Sequence, residues 1–360
     1  MSSVTVEATT PYEVWIEDAL DLAGVVSDAL SPGTAVVLTD STVGQFYARS
    51  VEEALKSAGW NVIDTLTVPA GEASKSIFVY ETVVRRLARS GLPRGGTLFA
   101  LGGGVVGDLG GFVASSYMRG IDFVQLPTSL LAMVDSSVGG KVGLDLAEGK
   151  NLVGAFLQPR LVAADLGWLE TLPPREVSQG LAEVVKMGLL AGGEFFEDLE
   201  LLDAACSGER GAMQTLVLHS VRYKAAVVAQ DEREAGLRAI LNYGHTIGHG
   251  LEAAAGYNLP HGEAVAAGML AAAHLGDERF HTDLSSTHEA LLHAAGLPLK
   301  LPPVDIEQVL EAMGRDKKRR TSDRDGKYRF VLLRDPGRPE RDISITVAEA
   351  RRAIGAVLAR

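Results

Sequence analysis

The chain has 360 residues, of which 46% are hydrophobic and 22% charged, and it carries a net charge of −12. That length supplies about two sizeable domain cores, and the composition excludes a disordered or fibrous polymer. The acidic balance argues against a general nucleic-acid surface or an anionic-membrane surface, so an anionic substrate requires a local cluster of Lys and Arg.

Cys206 is the only cysteine, which excludes an intramolecular disulfide and a cysteine-rich metal site and suits a reducing, cytoplasmic setting. The opening stretch MSSVTVEATTPYEVWIEDAL has acidic residues where a leader would carry a basic and then an apolar region, so secretion is not expected. The run AVAAGMLAAA (264–273) is about half as long as a membrane span and reads as a buried core helix.

In chain order, the first half alternates β-branched runs with helical patterns. Strands are expected at 34–40, 60–68 and 96–104, and helices near 47–58 and 76–90. Strands alternating with crossover helices imply a mostly parallel sheet with ligands outside the carboxyl ends of its strands, where Asp40 and Gly102 to Gly104 fall. From about residue 175 the pattern becomes helical, and the two prolines of TLPPRE (171–176) mark a boundary. The expected organisation is an α/β domain over 1–172 followed by a mainly helical domain over 173–360. The charge run GRDKKRRTSDRDGK (314–327) reads as a solvated loop.

Several segments point to chemistry. LFALGGGVVGD places Gly102, Gly104 and Gly107 after a strand and at a helix start, where backbone N–H groups can approach a pyrophosphate. The usual dinucleotide fingerprint follows the first strand of a sheet, and this one follows a later strand. VDSSVGGKVGLDLAEGKNLVGAF (134–156) sets Asp135, Lys141, Lys150 and Asn151 among glycines and small residues, a composition that suits phosphate or hydroxyl recognition. Glu183 and Lys186, three apart, share a helix face flanked by Leu181, Val184 and Val185. An i,i+3 Glu and Lys is ordinarily a modest surface pair, and the apolar setting puts the reading of a metal-ligand Glu beside a substrate-binding Lys on an equal footing with it.

His245 and His249 lie four apart, with His261 close behind; with a carboxylate, these histidines complete a divalent-metal site. Ile247 and Gly248 stand between the pair, so no protease-type general base is present. Spacing leaves open whether both members of the pair hold the metal. If Lys224, Arg238 and Asn242 face one cleft, they supply the cationic and polar groups that an anionic substrate requires; the alternative is that they lie on helix surfaces, as most Lys and Arg do.

Taken together, PAGEASKS, ALGGGVVGDLGGFVASSYMRGI, QLPTSLLAMVDSSVGGKVGLDLAEGKNLVGAFLQP, LETLPPRE, GLAEVVKMG, KAAVVAQDEREAGLRAILNYGHTIGHGLE, HGEAVAAGM and RDKK...YRFVLL resemble the 3-dehydroquinate synthase family, in its order, from about residue 69 to 332. The resemblance implies a Rossmann-like NAD-binding α/β domain, a helical metal-binding domain, one zinc or cobalt ion and a homodimer. It assigns Glu183, His245 and His261 to the metal and His249 to the substrate. Lys224 and Arg238 would grip a carboxylate, and Asp135, Asn151 and Lys186 would take hydroxyls. Lys141, Asn242, His249 and Lys317 would surround a phosphate, with Arg119 entering from a second subunit. Asp40, Glu72, Lys75, Gly103, Gly104, Val105, Asp108, Thr128, Ser129, Lys141, Lys150 and Thr171 would hold NAD.

The implied reaction takes 3-deoxy-D-arabino-heptulosonate 7-phosphate to 3-dehydroquinate and phosphate. It proceeds through transient oxidation, elimination, re-reduction and an intramolecular aldol closure, with no net consumption of NAD. Val142 and Ser129 stand where many members have Thr, and neither change removes a charged group or a ligand. The rival readings are another sugar phosphate cyclase, a metal-dependent polyol or glycerol phosphate dehydrogenase, and a non-catalytic NAD- or metal-binding protein. A substrate without a carboxylate has no use for Lys224 and Arg238 together.

Overall fold

The structure is a computed structural model and describes residues 2–315 and 327–359. Contacts divide the chain into two compact units. The first runs to Leu172 and includes Lys224–Arg233; the second contains Pro173–Tyr223 and the residues from Glu234 onward. The sequence reading assigned 173–360 whole to the second domain. Lys224–Arg233 belongs instead with the first, because Lys224 pairs with Asp135 and Glu232 accepts hydrogen bonds from Thr9 and Gln158.

The first unit is built on strands β1 (Ser2–Val6), β2 (Tyr12–Glu17), β3 (Thr34–Asp40), β4 (Asn61–Val68), β5 (Thr97–Gly102), β6 (Asp122–Pro127) and β9 (Leu161–Asp165), with a separate hairpin of β7 (Lys141–Leu146) and β8 (Gly149–Phe156). The sheet order is β1-β2-β9-β6-β5-β3-β4, parallel throughout except for β1 against β2. Helices α1 (Leu22–Ala29), α2 (Val43–Ser57), α3 (Ile77–Ser90) and α4 (Gly104–Ser116) cover the two faces. All six residues of β5 are buried, as expected of a central parallel strand whose two faces are both covered. Alternation sends Leu98 and Ala100 into the core under α3 and α4, and Phe99 and Leu101 into the core under α1 and α2.

Local chemistry sets the helix ends. Asp21 and Ser76 accept backbone N–H groups at the starts of α1 and α3, and Gly91, at φ 74, closes α3 in the left-handed region. The glycine-rich stretch 141–156 forms the β7–β8 hairpin. Gly143 and Gly154 face each other across it so closely that a Cβ on either would meet a main-chain oxygen at 2.7 or 2.6 Å.

The second unit is mainly helical. It contains α5 (Pro174–Ala191), α6 (Gly193–Glu197), α7 (Leu202–Cys206), most of α8 (Arg210–Gln230), α9 (His245–Ala254), α10 (His261–Phe280), α11 (Leu284–Ala294), α12 (Ile306–Arg315) and α13 (Val347–Leu358). Its antiparallel hairpin, β10 (Lys327–Leu333) with β11 (Pro339–Thr346), was not expected from the sequence. The α5 helix begins with Pro at its first position and is buried without a break from Ser178 to Leu190, so it is a core helix rather than a surface amphipathic one. The AVAAGMLAAA run likewise lies within the buried stretch of α10.

Small residues let these helices approach closely. A Cβ on Gly268 of α10 would lie 2.0 Å from the carbonyl oxygen of Gly244, and one on Gly262 would lie 2.6 Å from the Cα of Gln179 in α5. Among the described residues, no helix is long and apolar enough to cross a membrane.

Candidate functional site

Three helices of the second unit bring Glu183, His245 and His261 together. Glu183 lies in the middle of α5, and each histidine is the first residue of its helix, α9 and α10. Gly244, left-handed at φ 76, turns the chain into α9. Gln179 of α5 accepts from the Glu263 N–H at 3.1 Å and fixes the start of α10. One donor atom from each of Glu183, His245 and His261 falls within 4.8 Å of the other two, and each Nε2 lies 3.5 Å from Glu183 Oε1.

Glu183 is 0% exposed, and neither of its carboxylate oxygens has a hydrogen-bond partner. Lys186 contacts Oε2 as an ion pair outside hydrogen-bond geometry. Burial alone would raise the carboxyl pKa, but Lys186 and His261 outweigh it and hold the pKa at about 2. Burial works against the charged form of His261, yet Glu183 and Glu252 raise its pKa to about 9. Burial, reinforced by Lys186, drives His245 well below the ordinary histidine range. A buried, ionised carboxylate without hydrogen bonds, facing two imidazole nitrogens, fits a divalent cation by donor chemistry and by spacing.

The outer nitrogens of the two rings face different partners. Nδ1 of His245 donates to the Tyr243 carbonyl at 3.1 Å, and Nδ1 of His261 lies 3.5 Å from Glu252. His249 stands edge-on to His245, with ring centroids 5.3 Å apart. His249, Glu252 and His261 form a second set of the same compactness. Sequence reading missed Glu252 and Tyr243. The signal for Glu252 was present, because it lies three residues after His249 on the same helix face; the role of the Tyr243 carbonyl is set by the fold alone. Arg238 is buried in the turn Leu237–Asn242, and Asn242 donates to Glu234 at 2.8 Å.

The remaining candidates lie in the first unit. Gly103 caps α4, and Gly104 and Val105 open it; no acidic residue occupies its first turn, so the helix start presents free N–H groups to an anion. A Cβ on Gly103 or Gly104 would come 3.3 or 3.0 Å from the hydroxyls of Ser129 or Ser136, so glycine keeps this cradle open. The Thr128 N–H donates to the Gly102 carbonyl at 3.0 Å, which ties the end of β6 to that of β5. An adenine dinucleotide pyrophosphate fits this arrangement of unencumbered donors.

Asp108, one turn into α4, pairs with the buried Lys75 at 2.6 Å. Burial disfavours the Lys75 ammonium, but Asp108 and Glu72 outweigh that effect and raise its pKa. Glu72 opens the turn before Lys75. Asp40 caps α2 through Oδ1, which accepts from Thr42 and Val43 at 2.8 and 3.0 Å. The Thr171 hydroxyl pairs with Tyr47 at 2.7 Å.

Lys141 begins β7, and Lys150 and Asn151 lie in β8. Asn151 has φ 54, and its N–H donates to Asp145 at 2.7 Å. Lys224 is 5% exposed and donates to Asp135 Oδ1 at 2.6 Å and to the Asp135 carbonyl. Met118 and Arg119 are both left-handed, at φ 50 and 69, and exposed, which is a strained way to present an arginine. Sequence reading also missed Tyr12, whose hydroxyl accepts from the Gly139 N–H at 3.0 Å and carries an amino-terminal strand to this segment. Lys317 lies outside the described residues.

The whole fold is similar to that of a sugar phosphate cyclase, 2-deoxy-scyllo-inosose synthase solved with carbaglucose-6-phosphate, NAD+ and Co2+, with a TM-score of 0.89, 26% identity and coverage of 98% of this chain and 99% of that one. Family models for the amino-terminal and carboxy-terminal parts of 3-dehydroquinate synthase match residues 65–179 and 180–319. The chain is 48% identical to 3-dehydroquinate synthase of Symbiobacterium thermophilum over 79% of its length and 80% of that protein, and 44% identical to that of Xanthomonas axonopodis over 94% of both. It belongs to the 3-dehydroquinate synthase family.

Proposed function

We propose that this chain is a cytoplasmic lyase that converts 3-deoxy-D-arabino-heptulosonate 7-phosphate to 3-dehydroquinate and phosphate, using NAD and one divalent metal, zinc or cobalt. The single observation that carries the reading is the hydrogen-bond-free Glu183 carboxylate facing His245 and His261 in a chain of this family. When bound, NAD supplies reversible hydride acceptance at C5, and the metal supplies Lewis acidity at the C5 oxygen.

Glu183, His245 and His261 would hold the metal, the Glu183 carboxylate and the imidazole nitrogens of the two histidines being the donors. The alternative set of His249, Glu252 and His261 is less favoured, because it leaves the buried Glu183 anion without a counter-ligand other than Lys186 and His261. His249 is thereby freed to handle a proton at the phosphate side of the substrate. Lys186, held against Glu183, orients a substrate hydroxyl, and Asp135 and Asn151 are assigned to hydroxyls as well. Lys224 and Arg238 take the substrate carboxylate; both are buried, so their charges act in a poorly screened setting. Lys141, Asn242 and His249, with Lys317, take the phosphate.

The glycine-rich start of α4 takes the pyrophosphate of NAD, supported by Thr128, Ser129 and Lys150. Asp40, Glu72 and Thr171 border the cofactor, and the Lys75–Asp108 pair fixes the helix that carries the cradle. The subunits form a homodimer in which Arg119 serves the partner's phosphate group. Its exposure and left-handed backbone support that reading.

The test is phosphate release from the heptulosonate phosphate with NAD and zinc or cobalt, with and without a chelator, while absorbance is followed at 340 nm. Chelator-sensitive release without NADH accumulation is expected. Net NADH formation would indicate a dehydrogenase, and no release would overturn the assignment.

A further inference from the structure

Four groups, two of them fully buried, are linked by hydrogen bonds in a series that ends on a metal-ligand candidate. Nδ1 of His288, in α11, donates to the Leu284 carbonyl at 2.6 Å, and its Nε2 stands 2.7 Å from the Tyr243 hydroxyl. The Tyr243 carbonyl in turn accepts from Nδ1 of His245 at 3.1 Å. A carbonyl can only accept, so every proton in the chain is located. His288 carries its proton on Nδ1 and accepts from the phenol at Nε2; His245 carries its own on Nδ1 and turns the Nε2 lone pair toward Glu183.

Tyr243 and His288 are both 0% exposed, and their rings meet edge-on with centroids 5.8 Å apart. In a core position, a phenol and an imidazole cost more desolvation than Phe and Leu would, and their mutual hydrogen bond does little better than break even against such a pair. Packing therefore gives no reason for this choice of residues. Their location does. Tyr243 joins the turn Leu237–Asn242 to Gly244, between two pieces of regular structure, where no continuous helix fixes the direction of its carbonyl. The phenol ties that residue to a separate helix.

We propose that the Tyr243–His288 pair consists of positioning residues for the metal site, holding the Tyr243 carbonyl that fixes the tautomer and orientation of the His245 ring. This rests on the reading of Glu183, His245 and His261 as the metal ligands. Outer partners of ligating histidines have this effect in general, and their loss weakens metal binding about 10- to 100-fold.

The test titrates Co2+ into the metal-free full-length protein against a chromophoric chelator and records the cobalt d–d absorption. Wild type should bind one equivalent and His245→Ala should not, which checks the ligand reading by itself. Given that, Tyr243→Phe and His288→Leu should weaken Co2+ binding about 10- to 100-fold and alter the d–d bands. His288→Gln, whose amide oxygen can accept from the phenol, should recover most of both. Circular dichroism and NAD affinity report folding; if Tyr243→Phe does not fold, the two His288 variants decide.

Wild-type Co2+ affinity and spectrum in His288→Leu would overturn the proposal, even with a lowered melting temperature. So would a Gln variant as weak as the Leu variant. If wild type bound no cobalt, or His245→Ala kept it, the ligand reading would fail and this proposal with it.

Discussion

At the scale of single residues, the balance around Glu183 decides what the site can be. A carboxylate removed from water is costly, and Lys186 and His261 keep it ionised, leaving a negative group with open coordination between two imidazoles. His245→Ala is expected to abolish stoichiometric metal binding as measured by isothermal titration. His249→Ala should keep the metal and lower kcat about 10²- to 10⁴-fold, the range for a lost proton-transfer group. A metal-free His249→Ala protein would show instead that the close pair binds together.

His288 makes a separate prediction about pH. Burial lowers its pKa from 6.5 to about 4, so the fold favours the neutral ring. Its contribution is fully present above pH 6.5, and stability is lost as pH falls from there toward 4. The group accounts for about 3 kcal/mol across that window. Urea unfolding should show His288→Gln losing less stability than wild type over this range; equal losses would refute the assignment.

At the scale of elements, close helix approach fixes the ligand geometry. The α10 helix runs against the entry to α9, with only hydrogen at Gly268 and the Gly244 carbonyl beneath it. Gly268→Ala should cost about 1–3 kcal/mol by overpacking and weaken metal binding at the same time, because the displaced segment carries His245. Unfolding and metal titration measured together check this, and unchanged metal affinity would contradict it.

The elements also show what the sequence could reveal. Strands β3, β4 and β5 were legible from β-branched runs, and α3 from its helical pattern near 76–90, because these signals are local. The β7–β8 hairpin was not legible, since the five glycines from 139 to 154 carry no strand signal until cross-strand pairing gives them a purpose. Spacing and apolar context pointed to metal chemistry among Glu183, His245, His249 and His261, and only the family resemblance separated His245 from His249. Tyr243 and His288 were not, because their relation exists only once α11 packs against the turn before α9. The segment Lys224–Arg233 was assigned to the wrong unit for a similar reason: a helical pattern does not record which core its last turns join.

At the scale of the whole molecule, the homodimer reading has its own test. If Arg119 serves the partner subunit, mixing inactive Arg119→Ala with inactive His249→Ala subunits rebuilds one intact site per mixed dimer, recovering about a quarter of wild-type activity after random exchange. No recovery would mean that Arg119 serves its own subunit.

The central claim is that NAD is restored within each turnover, so that the enzyme is a lyase rather than a dehydrogenase. The most direct measurement uses substrate deuterated at C5 with limiting NAD and a loaded metal site, and reads the product by NMR. Many turnovers per NAD are expected, with 3-dehydroquinate that retains deuterium at the carbon derived from C5. Deuterium accumulating in reduced cofactor, with one product formed per NAD, would contradict it.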